Sequence, residues 1–159
     1  MKRAWWIAAA VFLADRGTKM LSGRIPPAGQ TLIPGVIGLR LARNTGMAFS
    51  LFSGRPRLLG ILSLVMILGA FLVFRKKTIR PLTTAGLMLM LGGALGNAAD
   101  RLLTGYVTDM IELLFVSFAV FNVADACLVI GCGLAVMDLF RNEPGEPPAG
   151  HADSGSAEA

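Results

Sequence analysis

Several ionisable and amide side chains stand inside or beside long apolar stretches of this chain: Asp15, Lys19, Asn97, Asp100, Arg101, Asp109, Asn122 and Asp125. An ionisable group inside an apolar span costs several kcal/mol and is retained for a purpose. Asp15 and Lys19 are four residues apart, so on a helix they share a face and can pair. Asn97, Asp100 and Arg101 are spaced by three and four, again on one face, and Asn122 precedes Asp125 by three. Asp109 lies in the expected loop between the last two groups. One polar cluster near the outer end of a helical bundle accommodates them all.

The chemistry such a cluster offers is acid–base work on an amide. Two carboxylates at close range cannot both ionise, so the pair shares a proton. The ionised member can activate water while the protonated member polarises a carbonyl. Such a pair needs no metal, no cofactor and no other nucleophile. Spacing alone does not choose among Asp100, Asp109 and Asp125. Asp15–Lys19 also reads as a structural ion pair at headgroup level, and Asp100–Arg101 reads equally well as an anchor for the end of a span. Asp125, read as lying half way along an apolar stretch without a basic neighbour in sequence, is the hardest to explain structurally. Asp138 reads as an ordinary interfacial residue.

The elements that must position these groups follow from the apolar pattern. The 159 residues are 54% hydrophobic and only 16% charged, with mean hydropathy +0.64. A soluble domain carries about a quarter charged residues. Here the apolar residues are clustered in long runs, which predicts a polytopic membrane protein. The expected architecture is an all-α bundle of four transmembrane helices with a small extramembrane β-cradle. The spans are expected over about 4–21, 58–74, 82–102 and 114–140, all within one unit covering 1–141.

The first stretch resembles a secretory signal peptide, with Lys2 and Arg3 in front of it. Phe12 stands third before the natural cut after Ala14, where a small residue is required, so the stretch reads as a retained span. Between about 24 and 55, Pro26, Pro27, Gly29, Pro34, Gly35, Gly38, Gly46 and Gly54 break any helix, and short strand-like runs separate them. That segment is the expected cradle. Leu58 to Phe74 holds no charge and ends on Arg75-Lys76-Lys77. The next span turns small and polar at its end, where Gly92 and Gly96 form a GxxxG pair that admits a neighbouring helix closely. The tail from Asn142 is polar and rich in Pro and Gly, and reads as a disordered cytoplasmic tail over 142–159.

Charge and rare residues exclude other classes. The net charge of +5 comes from basic residues flanking apolar stretches, at Lys2, Arg3, Arg55, Arg57 and 75–80. That placement fits anionic headgroups and topology signalling, and predicts no nucleic-acid partner. The short, basic 75–80 loop puts both termini in the cytoplasm, although Arg24, Arg40, Arg43, Arg55 and Arg57 in the first external loop weaken the bias. The single histidine, His151, lies in the tail, so serine–histidine and cysteine–histidine machinery cannot be built. Cys127 and Cys132 are turned about 140° apart on a helix and read as packing residues.

Five blocks together resemble the lipoprotein signal peptidase (signal peptidase II) family. They are Asp15-Arg16-Gly17-Thr18-Lys19, Asn44-Thr45-Gly46-Met47-Ala48-Phe49-Ser50, the run from Gly92 to Arg101, Val107-Thr108-Asp109-Met110-Ile111, and Phe121-Asn122-Val123-Ala124-Asp125. They stand in the family's order and span all of the chain except the tail. The resemblance implies four transmembrane helices in the bacterial inner membrane, cytoplasmic termini, and an active site toward the exterior. It implies an aspartic endopeptidase that removes the signal peptide from diacylglyceryl-modified prolipoproteins, cutting before the lipidated cysteine. Asp109 and Asp125 would be the catalytic pair. Asn44, Asn97, Asp100, Arg101 and Asn122 would line or support the substrate pocket, with Asp15 and Lys19 as supporting residues. Membrane lipids and globomycin-type inhibitors are the other implied partners. The chain departs from the family in its short link between Asp109 and Asp125, and in Met47, where a small residue is common.

Two other classes compete. An ion-coupled transporter also keeps membrane carboxylates, but it would normally use repeated halves, and none is visible. A scaffold built on the Gly92–Gly96 face leaves the polar blocks without a purpose.

Overall fold

The computed structural model describes residues 4–46 and 54–141. Lys2 and Arg3, the part of the second block from Met47 to Ser50, the end of the expected cradle, and the tail with His151 lie outside the described residues. Within them run helix α1 (Trp5–Leu21), strands β1 (Gln30–Ile33) and β2 (Ile37–Asn44), helices α2 (Pro56–Phe74) and α3 (Pro81–Leu103), strand β3 (Val107–Leu113) and helix α4 (Val123–Phe140).

The helix starts are encoded locally. Pro56 and Pro81 each open a helix, where the missing N–H is no loss and the fixed φ is already helical. Helices α2, α3 and α4 are long and apolar enough to cross a membrane. Helix α1 has 17 residues and carries Asp15, Arg16 and Lys19 in its second half.

Helix α3 packs against each of the other three helices. Two adjacent glycines explain how. A Cβ on Gly92 would lie 2.6 Å from the Ala8 carbonyl oxygen of α1, and one on Gly93 would lie 2.5 Å from the Ala124 carbonyl oxygen of α4. The GxxxG pair therefore receives α1, since Gly96 faces Asp15, while Gly93 receives α4. At the far end, Asp138 of α4 accepts from the Thr83 backbone N–H (3.3 Å) and hydroxyl (2.5 Å) in the first turn of α3. Asp138 is thus a buried interhelical link and not the ordinary interfacial residue expected from sequence.

The strands form one antiparallel sheet in the order β1-β2-β3. Its third strand corrects the sequence expectation twice. Asp109, expected in a loop, lies on β3. The stretch expected to form a single span from about 114 is divided: residues 114–122 connect β3 to α4, and Phe121 bridges back to Ile111. The helix begins only at Val123, because Asn122 caps it. The Asn122 side chain accepts from the Asp125 N–H, and the Asp125 carboxylate accepts from the Asn122 N–H. Asp125 therefore sits in the first turn of α4 and not in the middle of a span.

Candidate active site

Four elements, β2, β3, α3 and α4, bring carboxylates and amides to one place at the sheet end of the helices. On β2, Asn44 pairs with Val107, which puts it on the same face as Asp109 two residues along β3. The Asn44 amide donates to Asp109 Oδ2 at 3.2 Å, and its own Oδ1 accepts from the Gly46 N–H at 3.0 Å. On α4, the Asn122 amide donates to Asp109 Oδ1 at 2.6 Å and to Asn97 Oδ1 at 3.1 Å. On α3, the Asn97 amide donates to Asp125 Oδ1 at 2.8 Å. Asn97 and Asn122 thus link Asp109 to Asp125 through one continuous set of hydrogen bonds.

Asp109 is 2% exposed and Asn122 is fully buried. Burial pushes the Asp109 carboxyl up to about 6, and the nearby charge of Asp125 pushes in the same direction, against the amide N–H groups of Asn122 and Asn44. A carboxyl in this setting keeps its proton far more readily than one in water. The amides satisfy both acids without adding a positive charge that would force them to ionise together.

A second layer lies behind the amides. Lys19 Nζ is 2.8 Å from Asp15 Oδ2, 2.9 Å from Asp100 Oδ2 and 3.0 Å from Asn97 Oδ1. Asp15 Oδ1 accepts from the Ala124 N–H of α4 at 3.2 Å, and Asp100 Oδ2 accepts from the Thr108 N–H of β3 at 3.2 Å. The Asp15–Lys19 pair is therefore not an isolated ion pair at headgroup level. It belongs to a buried network that grips the starts of both elements carrying Asp109 and Asp125. Arg101 donates from Nη2 to the Gly46 carbonyl at 3.0 Å and so ties α3 to the end of β2.

The structure thus gathers Asp15, Lys19, Asn44, Asn97, Asp100, Arg101, Asp109, Asn122 and Asp125. Sequence reasoning missed Arg16, whose Nη2 lies 2.6 Å from Asp100 Oδ1. Its signal was its place in the first block, one residue after Asp15. It also missed the backbone N–H groups of Thr108 and Ala124, which no residue type announces.

The arrangement holds two carboxyls near each other, joined through amide N–H donors, which suits acid–base chemistry on an amide. Comparison with known proteins agrees with that capacity. The lipoprotein signal peptidase of Trichormus variabilis is 38% identical over 146 residues, covering 89% of this chain and 92% of that protein. That of Streptococcus thermophilus is 38% identical over 115 residues, covering 71% and 74%. Two solved bacterial membrane enzyme structures superpose with TM-scores of 0.81 and 0.79, each at 28% identity. They cover 89% and 90% of this chain, and 89% and 96% of their own. The model of the signal peptidase (SPase) II family matches residues 7–141, and the chain belongs to that family.

Proposed function

We propose that this membrane protein is the aspartic endopeptidase that removes signal peptides from prolipoproteins, with Asp109 and Asp125 as its catalytic pair. The observation that carries this reading is the linkage of the two carboxyls through Asn122 and Asn97. Asp109 keeps the shared proton and hydrogen-bonds the scissile carbonyl oxygen. Asp125 takes a proton from the attacking water, whose oxygen bonds the carbonyl carbon. Collapse of the tetrahedral intermediate breaks the C–N bond as Asp125 passes the proton it took from water to the departing amine nitrogen, and Asp109 keeps its proton as the carbonyl re-forms. Asn44, Asn97 and Asn122 hold the pair and the peptide in register. Arg101 Nε is buried and without a hydrogen-bond partner among the described residues, so it is a donor left for an incoming carbonyl. Asp15, Lys19 and Asp100 support this arrangement from behind.

The substrate on this reading is a diacylglyceryl-modified precursor, cut just before its lipidated cysteine. Residues 1–141 act as one unit with α1 as a fourth span and 142–159 as a cytoplasmic tail. Both termini face the cytoplasm of a bacterial inner membrane, and the sheet end of the bundle faces the exterior. The lipid chains remain in the bilayer while the peptide lies extended along the cradle. Globomycin-type inhibitors occupy the same cleft.

The test is a gel-shift assay with protein purified in detergent and a diacylglyceryl prolipoprotein. Wild type cleaves and globomycin blocks it, whereas Asp109→Asn and Asp125→Asn each lose roughly 10⁴-fold or more in kcat. Cleavage at a normal rate by either variant would move the catalytic role elsewhere, Asp100 first.

A further inference from the structure

We infer that Lys19 is a positioning residue for the catalytic pair: together with the Asn122 amide, its ammonium fixes which end of the Asn97 amide faces Asp125. The inference rests on the reading of Asp109 and Asp125 given above.

The two ends of an asparagine amide have nearly the same shape, so only their partners distinguish them. Lys19 can only donate. It forms ion pairs with Asp15 Oδ2 at 2.8 Å and Asp100 Oδ2 at 2.9 Å, and it donates a hydrogen bond to Asn97 Oδ1 at 3.0 Å. Against such a group Asn97 can present only its oxygen. The same oxygen accepts from Asn122 Nδ2 at 3.1 Å. The Asn97 NH₂ is thereby turned to Asp125 Oδ1, at 2.8 Å. Reversing the amide would set its NH₂ against two donors and its oxygen against a carboxylate oxygen, so three contacts would fail together.

Lys19 is itself fixed. Its side chain is 2% exposed, and its two anionic partners are held by backbone N–H groups of other elements. Asp15 is bonded to Ala124, beside Asp125, and Asp100 to Thr108, beside Asp109. The charged groups against the ammonium are Asp15 from α1 and Asp100 from α3; Arg16 pairs with the other oxygen of Asp100, and the charge of Lys19 reaches Asp109 on β3. A residue that only balanced charge here would need no contact with Asn97.

The experiment is a double-mutant cycle on the full chain in detergent, reading kcat and KM on a diacylglyceryl prolipoprotein. The variants are Lys19→Met, Asn97→Ala, both together, and the charge-balanced Asp15→Asn/Lys19→Met. The expected single losses are each about 100-fold in kcat with KM little changed, the scale of a lost preorganised donor. The double variant is expected within about threefold of Asn97→Ala, because the second change removes a group whose effect is already gone. Asp15→Asn/Lys19→Met is expected to melt like wild type while keeping the low kcat. If Lys19→Met fails to fold, that charge-balanced variant, with and without Asn97→Ala, completes the cycle. Additive losses near 10⁴-fold, or recovery of wild-type kcat in the charge-balanced variant, would overturn the inference and leave the peptidase reading standing. Absence of cleavage by folded wild type would overturn both.

Discussion

Helices α2 and α3 are neighbours of similar length and differ in almost every other respect. Of the most apolar stretch of α2 only 11% is buried in the protein, against 44% of that of α3. The more apolar helix is the more exposed one. In water the reverse would hold, but a bilayer solvates Leu, Val and Phe as well as a protein core does. Helix α2 leaves Val65, Met66 and Leu68 more than half exposed, an apolar face suited to lipid, and contributes none of the residues in the polar network. Helix α3 buries Gly92, Gly93, Gly96, Asn97 and Asp100, and its small residues let two other helices come close enough for those polar groups to meet partners. Between these two helices, the fall in hydropathy marks the one that joins the polar network.

Matched substitutions sharpen that contrast, beginning with the glycines. Gly92→Leu would drive a side chain into the backbone of α1, whereas nothing lies within 4 Å of a Cβ at Gly69 in α2. The expected outcome is a cost of about 3 kcal/mol or more for Gly92→Leu, read as loss of the cooperative melt, and a near-silent Gly69→Leu. Equal effects would break the comparison.

Polar residues come next. Asn97→Leu raises the apolarity of α3 and is expected to lower kcat at least about 100-fold. Ser63→Leu does the same to α2, where the hydroxyl bonds only the Leu59 carbonyl of its own helix at 2.9 Å, and is expected to leave kcat within about twofold.

A smaller effect concerns pH. The Asp109 carboxyl rises from 3.8 to about 6 on folding. Between those values the folded chain binds more protons than the unfolded chain, so this group's contribution to stability is present below pH 3.8 and is lost as pH rises through about 6. Asp109→Asn cannot ionise. The melting point of wild type relative to that variant is expected to fall across this window, and a constant difference would contradict the assigned setting of Asp109.

The smallest expected effect is at the sheet surface. Arg40 and Glu112 pair at 2.8 Å, but the Arg40 side chain is 55% exposed. Arg40→Ala is expected to cost no more than about 1 kcal/mol in a melt and to leave cleavage unchanged.

Legibility followed the physical origin of each feature. Helices α2 and α3 begin and end within one or two residues of the apolar runs at 58–74 and 82–102, because an apolar run opened by proline and closed by basic residues is a local signal. The start of α4 does not follow from its apolar run. Residues 114–122 are as apolar as the helix after them, and what separates the two is the Phe121–Ile111 bridge and the reciprocal Asn122–Asp125 cap. Strand β3 was missed for a related reason. Val107 to Leu113 is short, contains two acids, and becomes a strand by pairing with β2, which lies more than sixty residues away. Of the site, the nine candidate residues named from the sequence meet in one network, but the alternatives for Asp15–Lys19 and Asp100–Arg101 could not be decided from spacing. Each pair shares its charges with other elements.

By itself the sequence determined that the chain enters a membrane, where its cleanest spans run, and which polar side chains are present without any local reason to be there. These are consequences of composition and period, which act over a few helical turns. Only the tertiary structure decided which of those side chains touch. It put Asp125 at a helix start, set Asp109 on a strand, and turned Asn97 and Asn122 into the bridge between them. The reason is that a hydrogen bond forms over about 3 Å, and the partners here come from α1, β2, α3, β3 and α4, whose mutual distances no local pattern records.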